Sequence, residues 1–344
     1  MNELLTSTVI FIASGALSFL SAPLFSLALI PFAKRLGAID VPRDTRRMHT
    51  RPVARIGGLA VFLSFLIGSG LFLSLCRPFF TESTVAFAQS VIFGGSVITL
   101  GGLADDAYKL SPWQKILFQT LAALVAAAFG ASFFDGWLGT VGFILWSVLL
   151  SNAFNLIDGL DGLCTRVAAF CIVALLAISG YEPVFVILIA ALLGFLPLNL
   201  HPARLFLGDA GAMCLGFSLA VLSAGVFRGS PSPLSAVSVI LIFALPLFDT
   251  AFAAARRILR GKSPFAPDRE HLHHKLVDAG LSHGRASFLL SLLGGGFSSL
   301  GALIFRTGLA PICFILLILL IFASASVIII STAKPKSDKK DGRI

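Results

Sequence analysis

The sequence is short of charge. Asp, Glu, Lys and Arg make up 12% of its 344 residues, whereas a soluble globular chain carries about 25%. Together with a hydrophobic share of 57%, this shortage excludes a disordered chain and an ordinary soluble enzyme. Cysteine is also scarce, with five residues and no CxxC pair, which excludes a disulfide scaffold. A polytopic membrane protein is the class that remains.

Long apolar runs dominate the chain, and each is close to the 20 or so residues that a helix needs to cross a bilayer. Strands of a membrane barrel would be about ten residues long with alternating polarity, so the runs favour helices. No polar stretch between them is long enough for a soluble domain. We therefore predict an all-α polytopic protein, with one integral membrane domain over residues 1–333 and a basic tail over 334–344. The eleven predicted spans cover approximately residues 8–31, 56–75, 85–103, 116–133, 137–154, 164–180, 184–200, 210–227, 235–255, 286–305 and 309–331.

The basic residues predict the orientation of the chain, because Lys and Arg concentrate in cytoplasmic loops. All but three of the 26 lie in odd-numbered loops or in the tail; the exceptions are Arg77, Arg228 and Arg306. This places the N-terminus outside and the C-terminus in the cytoplasm. The net charge of +9 is spread between apolar runs rather than gathered in one basic module, so we expect no nucleic-acid partner.

Carboxylates are rare, and several lie at the ends of apolar runs on the predicted cytoplasmic side. Asp105 and Asp106 end the third run, either as a functional pair or as a solvated helix end with Lys109 as a partner. Asp209 opens the eighth run. An Asp at this position suits a helix N-cap and also suits a hard cation. Taken alone, the cap is the favoured interpretation of Asp209.

A polar stretch follows the fifth run. Asn152, Asn155, Asp158 and Asp161 recur every three residues, and neighbours at that spacing share a face of a helix. Glycines after both aspartates would let a ligand approach the backbone. A plain turn does not need four amide and carboxylate groups at this spacing, so we predict a functional site.

Three of the six histidines lie together after the ninth run, close to Arg269. His271 and His274 should project together from a helix while His273 points elsewhere. These groups suit either zinc or the oxygens of a phosphate or sugar, and the second is favoured because no Cys or HExxH accompanies them. Asp249 lies within the ninth run, where it is either functional or bonded to a helix kinked by Pro246.

These stretches together resemble the polyprenyl-phosphate N-acetylhexosamine-1-phosphate transferase family, from about Arg46 to Leu276. The most specific match is the stretch 152–162, and Asp105-Asp106, the Gly208-Asp209 motif and the loop around His49 and Arg55 are also similar. The histidine spacing resembles that of the branch that initiates cell-envelope polysaccharides. Ala54, Lys109, Cys164-Thr165 and Ala212 depart from the pattern without removing a proposed catalytic group.

The resemblance implies transfer of a HexNAc-1-phosphate from a UDP-sugar to undecaprenyl phosphate, with release of UMP, at the cytoplasmic face of a bacterial inner membrane. It implies Mg²⁺, with Mn²⁺ as a possible substitute, held by Asp209, and a catalytic role for Asp105 and Asp106. Direct attack by the lipid phosphate and a covalent Asp intermediate both stay open. The implied substrate-binding residues are Asn152, Asn155, Asp158, Asp161, Phe206, Arg269, His271, His273, His274, Arg47, His49 and Arg55.

Two alternatives stand beside this function. The first is phospho-MurNAc-pentapeptide translocase, which the histidine spacing disfavours. The second is a membrane transporter, whose polar groups would lie near mid-bilayer in repeated halves. The donor sugar is not readable from the sequence, because UDP-GlcNAc and its isomers differ in one hydroxyl.

Overall fold

A computed structural model describes residues 2–41, 52–76, 81–180, 182–263 and 271–308, with short helical pieces at 316–317, 319–321 and 323–324. Its helices are α1 (Asn2–Ala33), α2 (Gly57–Cys76), α3 (Glu82–Tyr108), α4 (Pro112–Ala128), α5 (Trp137–Ile157), α6 (Leu163–Ser179), α7 (Pro183–Asn199), α8 (Gly208–Gly229), α9 (Pro233–Ile242), α10 (Ala244–Leu259), α11 (Leu272–Asp278) and α12 (His283–Thr307). The strands are β1 (Ile39–Asp40) and β2 (Val53–Ala54). The all-α class predicted from the apolar runs is confirmed.

The first ten predicted runs fall on helices, because an apolar run of this length satisfies its backbone hydrogen bonds internally as a helix. Within the described residues, six helices are long and apolar enough to cross a membrane. They are α1, α2, α3, α5, α8 and α12, while α6 and α7 are shorter apolar helices. The predicted count of eleven spans and their orientation stay predictions.

The ninth run is not the single straight span that its length suggested. It forms α9 and α10, which meet at a bend of 80° near Phe243. Pro246 lies in the first turn of α10, where its missing N–H costs nothing. The bend gives α10 a direction of its own, with Phe248 and Phe252 exposed along it.

Helix α8 forms the centre of the bundle, and nearly all its residues are buried. Its first turn packs backbone to backbone against two neighbouring helices. A Cβ on Gly58 of α2 would lie 2.0 Å from the amide nitrogen of Gly211, and one on Gly102 of α3 would lie 2.3 Å from Cα of Ala210. These contacts require glycine and hold the start of α8 against the end of α3.

A short extended segment fastens the loop before α2 to the segment before α8. Strands β1 and β2 pair antiparallel, and Ala54 bridges to Leu205. The amide of Phe206 donates to the carbonyl of Ala54, and the amide of Gly57 donates to the carbonyl of Phe206. Arg55, between these two contacts, is therefore held beside the start of α8.

Several predicted features lie outside the described residues. They are Arg47, His49 and Arg269 of the candidate site, most of the run 309–331, and the tail 334–344.

Candidate active site

Three carboxylates meet where α3 ends and α8 begins. Asp105 and Asp106 are in the last turn of α3, and Asp209 is in the first turn of α8. All three lie at one end of the helix bundle, and Asp105 and Asp106 are almost fully buried. Buried carboxylates this close need compensating positive charge.

Two cations supply that charge. The Arg55 guanidinium contacts Oδ1 of Asp106 with Nε at 3.1 Å and Oδ1 of Asp209 with Nη2 at 2.6 Å. The Lys115 ammonium in the first turn of α4 contacts Oδ2 of Asp105 and, at 2.8 Å, Oδ2 of Asp209. Each cation thus bridges α3 to α8, and Asp209 is shared by both.

Asp106 is also the acceptor for the first amides of α8. Its Oδ1 accepts from the amide of Asp209 at 3.2 Å, and its Oδ2 accepts from the amide of Ala210 at 3.1 Å. The interpretation of Asp209 as the helix N-cap is therefore wrong, because Leu207 occupies the cap position and Asp106 satisfies the amides. Gly208 has φ +74°, and a Cβ there would lie 2.7 Å from Oδ2 of Asp106.

Lys109, the salt-bridge partner considered in the alternative interpretation of the Asp pair, does not contact either carboxylate among the contacts that the structure describes. Lys109 is the C-cap residue of α3, with φ +58°, and its ammonium reaches the main-chain carbonyl of Asp106. Lys115 provides the cation instead. It lies in the opening turn of an apolar helix, so no motif marks it.

The polar stretch 152–162 does not continue as one helix, because α5 ends at Ile157. Asn152 donates to the side-chain oxygen of Gln119 at 2.8 Å and so ties α5 to α4. Asp158 is the C-cap residue of α5. Desolvation raises the pKa of Asp158 to about 7, although Arg55 opposes the shift. Asp158 therefore interacts electrostatically with the carboxylate cluster.

Asp161 belongs to a second polar cluster. Its Oδ2 lies 2.7 Å from Nδ1 of His201 and accepts from the amide of Ala203 at 3.1 Å. The ring of His201 faces that of His283, with centroids 5.0 Å apart. His201 and His283 did not appear among the predicted site residues, because each stands alone in the sequence.

The histidine helix α11 packs on the loop that follows α5. A Cβ on Gly159 would lie 2.1 Å from Nε2 of His273, so glycine makes room for the imidazole. His271 precedes α11 as its N-cap residue, with extended backbone, and its ring lies nearly parallel to that of His273. The prediction that His271 pairs with His274 while His273 points elsewhere is wrong, because His271 is not helical.

His273 is a buried imidazole. Burial is the largest cause that lowers the pKa of His273 to about 3, and the Coulombic effect of the neighbouring His274 is the second largest. His271 and His283 act in the same direction, and Asp249 opposes them. His273 is therefore neutral near pH 7 and packs as a structural contact between α11 and the loop.

Asn155 and Phe206 are the two remaining candidate substrate-binding residues that the structure describes. Asn155 is half-buried in the last turn of α5. Phe206 is also half-buried, and its main chain completes the extended segment beside Arg55. Through these contacts the carboxylates, the stretch 152–162 and the histidines all meet at one end of the bundle, as the sequence predicted.

A cavity of about 480 Å³ lies beside this end, between α10, α11 and α12. Its walls are mostly apolar, with Phe248, Phe252 and Phe297 among them. Asp249 lines it, and so do the basic residues Arg256, Arg260 and Lys275. An apolar cavity that also carries positive charge suits an amphipathic anion with a long hydrocarbon part.

The carboxylate cluster has the donor set of a hard divalent cation. Mg²⁺ prefers carboxylate oxygens and phosphates and keeps part of its water. Asp105 and Asp209 already share one positive group, the Lys115 ammonium, so this pair of carboxylates attracts a cation. The residues present therefore fit Mg²⁺, which Asp209 and Asp105 would hold.

Comparison with known proteins identifies similar sequences. Residues 88–226 match the family described as Glycosyl transferase family 4. The chain is 35% identical over 328 residues to a probable undecaprenyl-phosphate N-acetylglucosaminyl 1-phosphate transferase of Bacillus subtilis (strain 168), with 89% of each chain covered. It is 34% identical to a decaprenyl-phosphate N-acetylglucosaminephosphotransferase of Mycolicibacterium smegmatis, over 80% of this chain and 78% of the relative. An undecaprenyl-phosphate alpha-N-acetylglucosaminyl 1-phosphate transferase of Escherichia coli (strain K12) is 28% identical, over 83% and 81%.

Proposed function

Because the chain belongs to glycosyl transferase family 4, among the polyprenyl-phosphate N-acetylhexosamine-1-phosphate transferases, we propose that it transfers HexNAc-1-phosphate from a UDP-sugar to undecaprenyl phosphate. An oxygen of the lipid phosphate forms a bond to the sugar-bearing phosphorus of the donor. The bond from that phosphorus to UMP breaks, and UMP leaves with the bridging oxygen. GlcNAc is the proposed sugar, because the relatives' names specify it.

The observation that carries this proposal is the cluster of Asp105, Asp106 and Asp209 bridged by Arg55 and Lys115. Reaction between two phosphates requires their negative charges to be screened and their oxygens to be oriented. Fixed cations bound to carboxylates from two helices provide that orientation. Bound Mg²⁺ would supply the remaining charge neutralisation on the pyrophosphate.

Within the cluster, the three carboxylates have different surroundings. Both carboxylate oxygens of Asp106 accept hydrogen bonds from amides of α8, and one of them also contacts Arg55. We therefore propose that Asp106 positions Asp209. Asp105 accepts from the amide of Leu110 at 2.7 Å and contacts Lys115. It is the candidate to bind or deprotonate the lipid phosphate, or to attack the donor itself.

The apolar cavity beside α10 is the proposed site of the lipid acceptor. Its aromatic walls suit a polyprenyl chain, and its basic residues suit the phosphate head. Helix α10 bends 80° from α9 and exposes Phe248 and Phe252, and the lipid is proposed to enter the cavity along this helix. A hydrophobic substrate needs such a lateral entrance, because it arrives from the bilayer.

The donor is proposed to bind between the loop after α5 and the segment before α8. Phe206 would stack on the uracil, with Asn155 and Asp158 beside it, and the imidazoles of His271 and His274 would face the phosphate or sugar oxygens. Asn152, Asp161 and His273 support this pocket through contacts to α4, His201 and Gly159. Arg47, His49 and Arg269 remain candidates for phosphate contacts. The active site is proposed to face the cytoplasm of a bacterial inner membrane.

The test is direct. Purified protein should release UMP and form a lipid-linked sugar diphosphate when given undecaprenyl phosphate and UDP-GlcNAc. A panel containing UDP-GalNAc and UDP-MurNAc-pentapeptide measures donor choice, and we expect the pentapeptide donor to be rejected. Folded protein that releases no UMP with any UDP-HexNAc, but moves a solute into proteoliposomes, would show a transporter instead.

A further inference from the structure

A second set of metal-ligand side chains lies outside the carboxylate cluster. It consists of Asp161 in the loop after α5, His201 between α7 and α8, and His283, the first residue of α12. One ligand atom from each lies within 4.8 Å of the other two. Three segments that are distant in the sequence thus direct one carboxylate and two imidazoles at a common point.

The chemistry of this set differs from that of the carboxylate cluster. Two imidazole nitrogens and one carboxylate oxygen are typical ligands of Zn²⁺ and related transition metals, whereas Mg²⁺ favours oxygen alone. Three protein ligands leave a fourth position of a tetrahedral ion for water. The set shares no residue with Asp105, Asp106 and Asp209, so the two sites are separate.

Further hydrogen bonds fix these ligands in place. The amide of Ala203 donates to Oδ2 of Asp161 at 3.1 Å, and the hydroxyl of Ser287 donates to its main-chain oxygen at 2.8 Å. Arg166 in turn donates to Ser287 at 2.6 Å. In known metal sites, hydrogen bonds to the ligand side chains orient those ligands and raise the affinity of the site for the metal.

The site is also open to an ion. Asp161 is buried, but the side chain of His201 is 43% exposed, so a metal can enter from the end of the bundle. The bond of 2.7 Å between Asp161 and His201 satisfies this pair when no metal is bound. A hydrogen-bonded pair with no metal function is therefore the competing explanation, and it predicts no stoichiometric binding.

We infer that Asp161, His201 and His283 bind one divalent transition-metal ion of the zinc class. The ion fastens the loop 158–162 to the start of α12. That loop also carries Asp158 and packs on His273, so the metal holds the floor of the proposed donor pocket in position.

The experiment uses the full chain, purified in detergent with an affinity tag that contains no histidine, and dialysed against metal-free buffer. Zinc titration followed by elemental mass spectrometry should give about one tightly held ion per chain. His201→Gln and His283→Gln should each weaken zinc binding by more than about 100-fold, since loss of outer contacts alone costs about 10- to 100-fold. His274→Gln and Asp209→Asn are matched controls that should retain the ion.

Two further measurements keep the result independent of folding defects and of catalysis. Co²⁺ added to the unaltered protein should give the visible absorption of a tetrahedral ion. Zinc should raise the melting temperature of the unaltered protein and of His274→Gln, but not of His283→Gln, because only a specific site stabilises the folded state. Absence of stoichiometric zinc in the unaltered protein, or zinc binding that is as tight in His201→Gln and His283→Gln as in the unaltered protein, would overturn the inference.

Discussion

Asp249 holds His271 in a fixed orientation. Its Oδ2 accepts from Nδ1 of the imidazole at 2.9 Å, and its Oδ1 accepts from the amide of Leu272 at 3.0 Å. A carboxylate on Nδ1 sets the tautomer and the orientation of the ring. Asp249 also lines the apolar cavity, so one side chain connects the proposed acceptor site to the histidine helix.

Replacing this carboxylate should impair transfer through His271. Asp249→Asn should lower kcat/KM by about 10- to 100-fold, since a hydrogen bond to a charged group contributes about 1.5–3 kcal/mol. In a His271→Ala background, Asp249→Asn should lower kcat/KM little further. Thr250→Ala, which removes a hydroxyl bonded to the carbonyl of Pro246, is the control in the same helix. Equal losses from Asp249→Asn in both backgrounds would indicate a general folding role.

Lys115 should matter far more than Lys109. Lys115→Met removes the cation shared by Asp105 and Asp209, so we expect UMP release to fall on the order of 10²-fold. Lys109→Met removes only a contact to a main-chain carbonyl and should leave the rate within about twofold of the unaltered protein. Steady-state UMP release in the same detergent measures both. The assignment fails if Lys115→Met turns over normally.

Activity should depend on a divalent cation. Chelation with EDTA should abolish UMP release, and Mg²⁺ or Mn²⁺ should restore it, because carboxylates and phosphates together form an oxygen-rich site. Asp209→Asn should remove most turnover with little change in melting temperature. Asp135→Asn, at the opposite end of the bundle and paired with Arg228, provides the control. Full activity of Asp209→Asn, or of the protein in EDTA, would contradict the assignment.

Acid should destabilise the protein through His273. Its pKa is lowered to about 3 in the fold, against about 6.5 when unfolded, so burial of the neutral ring favours the folded state fully above about pH 6.5. That stability is lost as the pH falls towards 3. Between about pH 7 and pH 5 the loss is about 2 kcal/mol. His273→Gln should flatten this part of the melting-temperature profile, and an unchanged slope would show that other groups cause it.

The orientation can be tested with two cysteines at opposite ends of the bundle. Lys262→Cys follows α10, and Asp135→Cys precedes α5; both positions are exposed. An impermeant thiol reagent should label position 135 in intact cells and position 262 only after permeabilisation, because basic loops stay in the cytoplasm. The native Cys164, Cys171 and Cys214 are buried. Cys76 and Cys313, whose side chains are not among those the structure describes, are replaced by Ser in both variants to exclude background labelling. The reverse pattern would place the active site outside.

The parts of the fold that were predictable are those set by local sequence. Apolar runs of sufficient length form helices wherever they occur, and polar groups at their ends mark one end of the bundle. The bend between α9 and α10 also had a local signal, since Pro246 suits the first turn of a new helix. The expectation from the sequence was instead a kink at this proline within one span.

The contacts that were missed are those between distant segments. Asp106 accepts from amides 103 and 104 residues further along the chain, and no local pattern indicates such a partner. Lys115 is an isolated charge at the start of an apolar helix. The orientation of His271 could not be predicted either, because the pairing rule for helical residues does not apply to a residue that precedes the helix.

The dependence of α8 on Asp106 has a consequence for biogenesis. The ribosome completes α3 long before Gly208 emerges, so the nascent chain at that stage carries Arg55, Asp105 and Asp106 without Asp209 and the amides of α8. The carboxylate cluster can form only after α8 has packed against α2 and α3, where glycines allow the backbones to touch. Insertion of α8 is thus a step without which the carboxylate cluster cannot exist, and quality control of this protein should act on chains in which that step has failed.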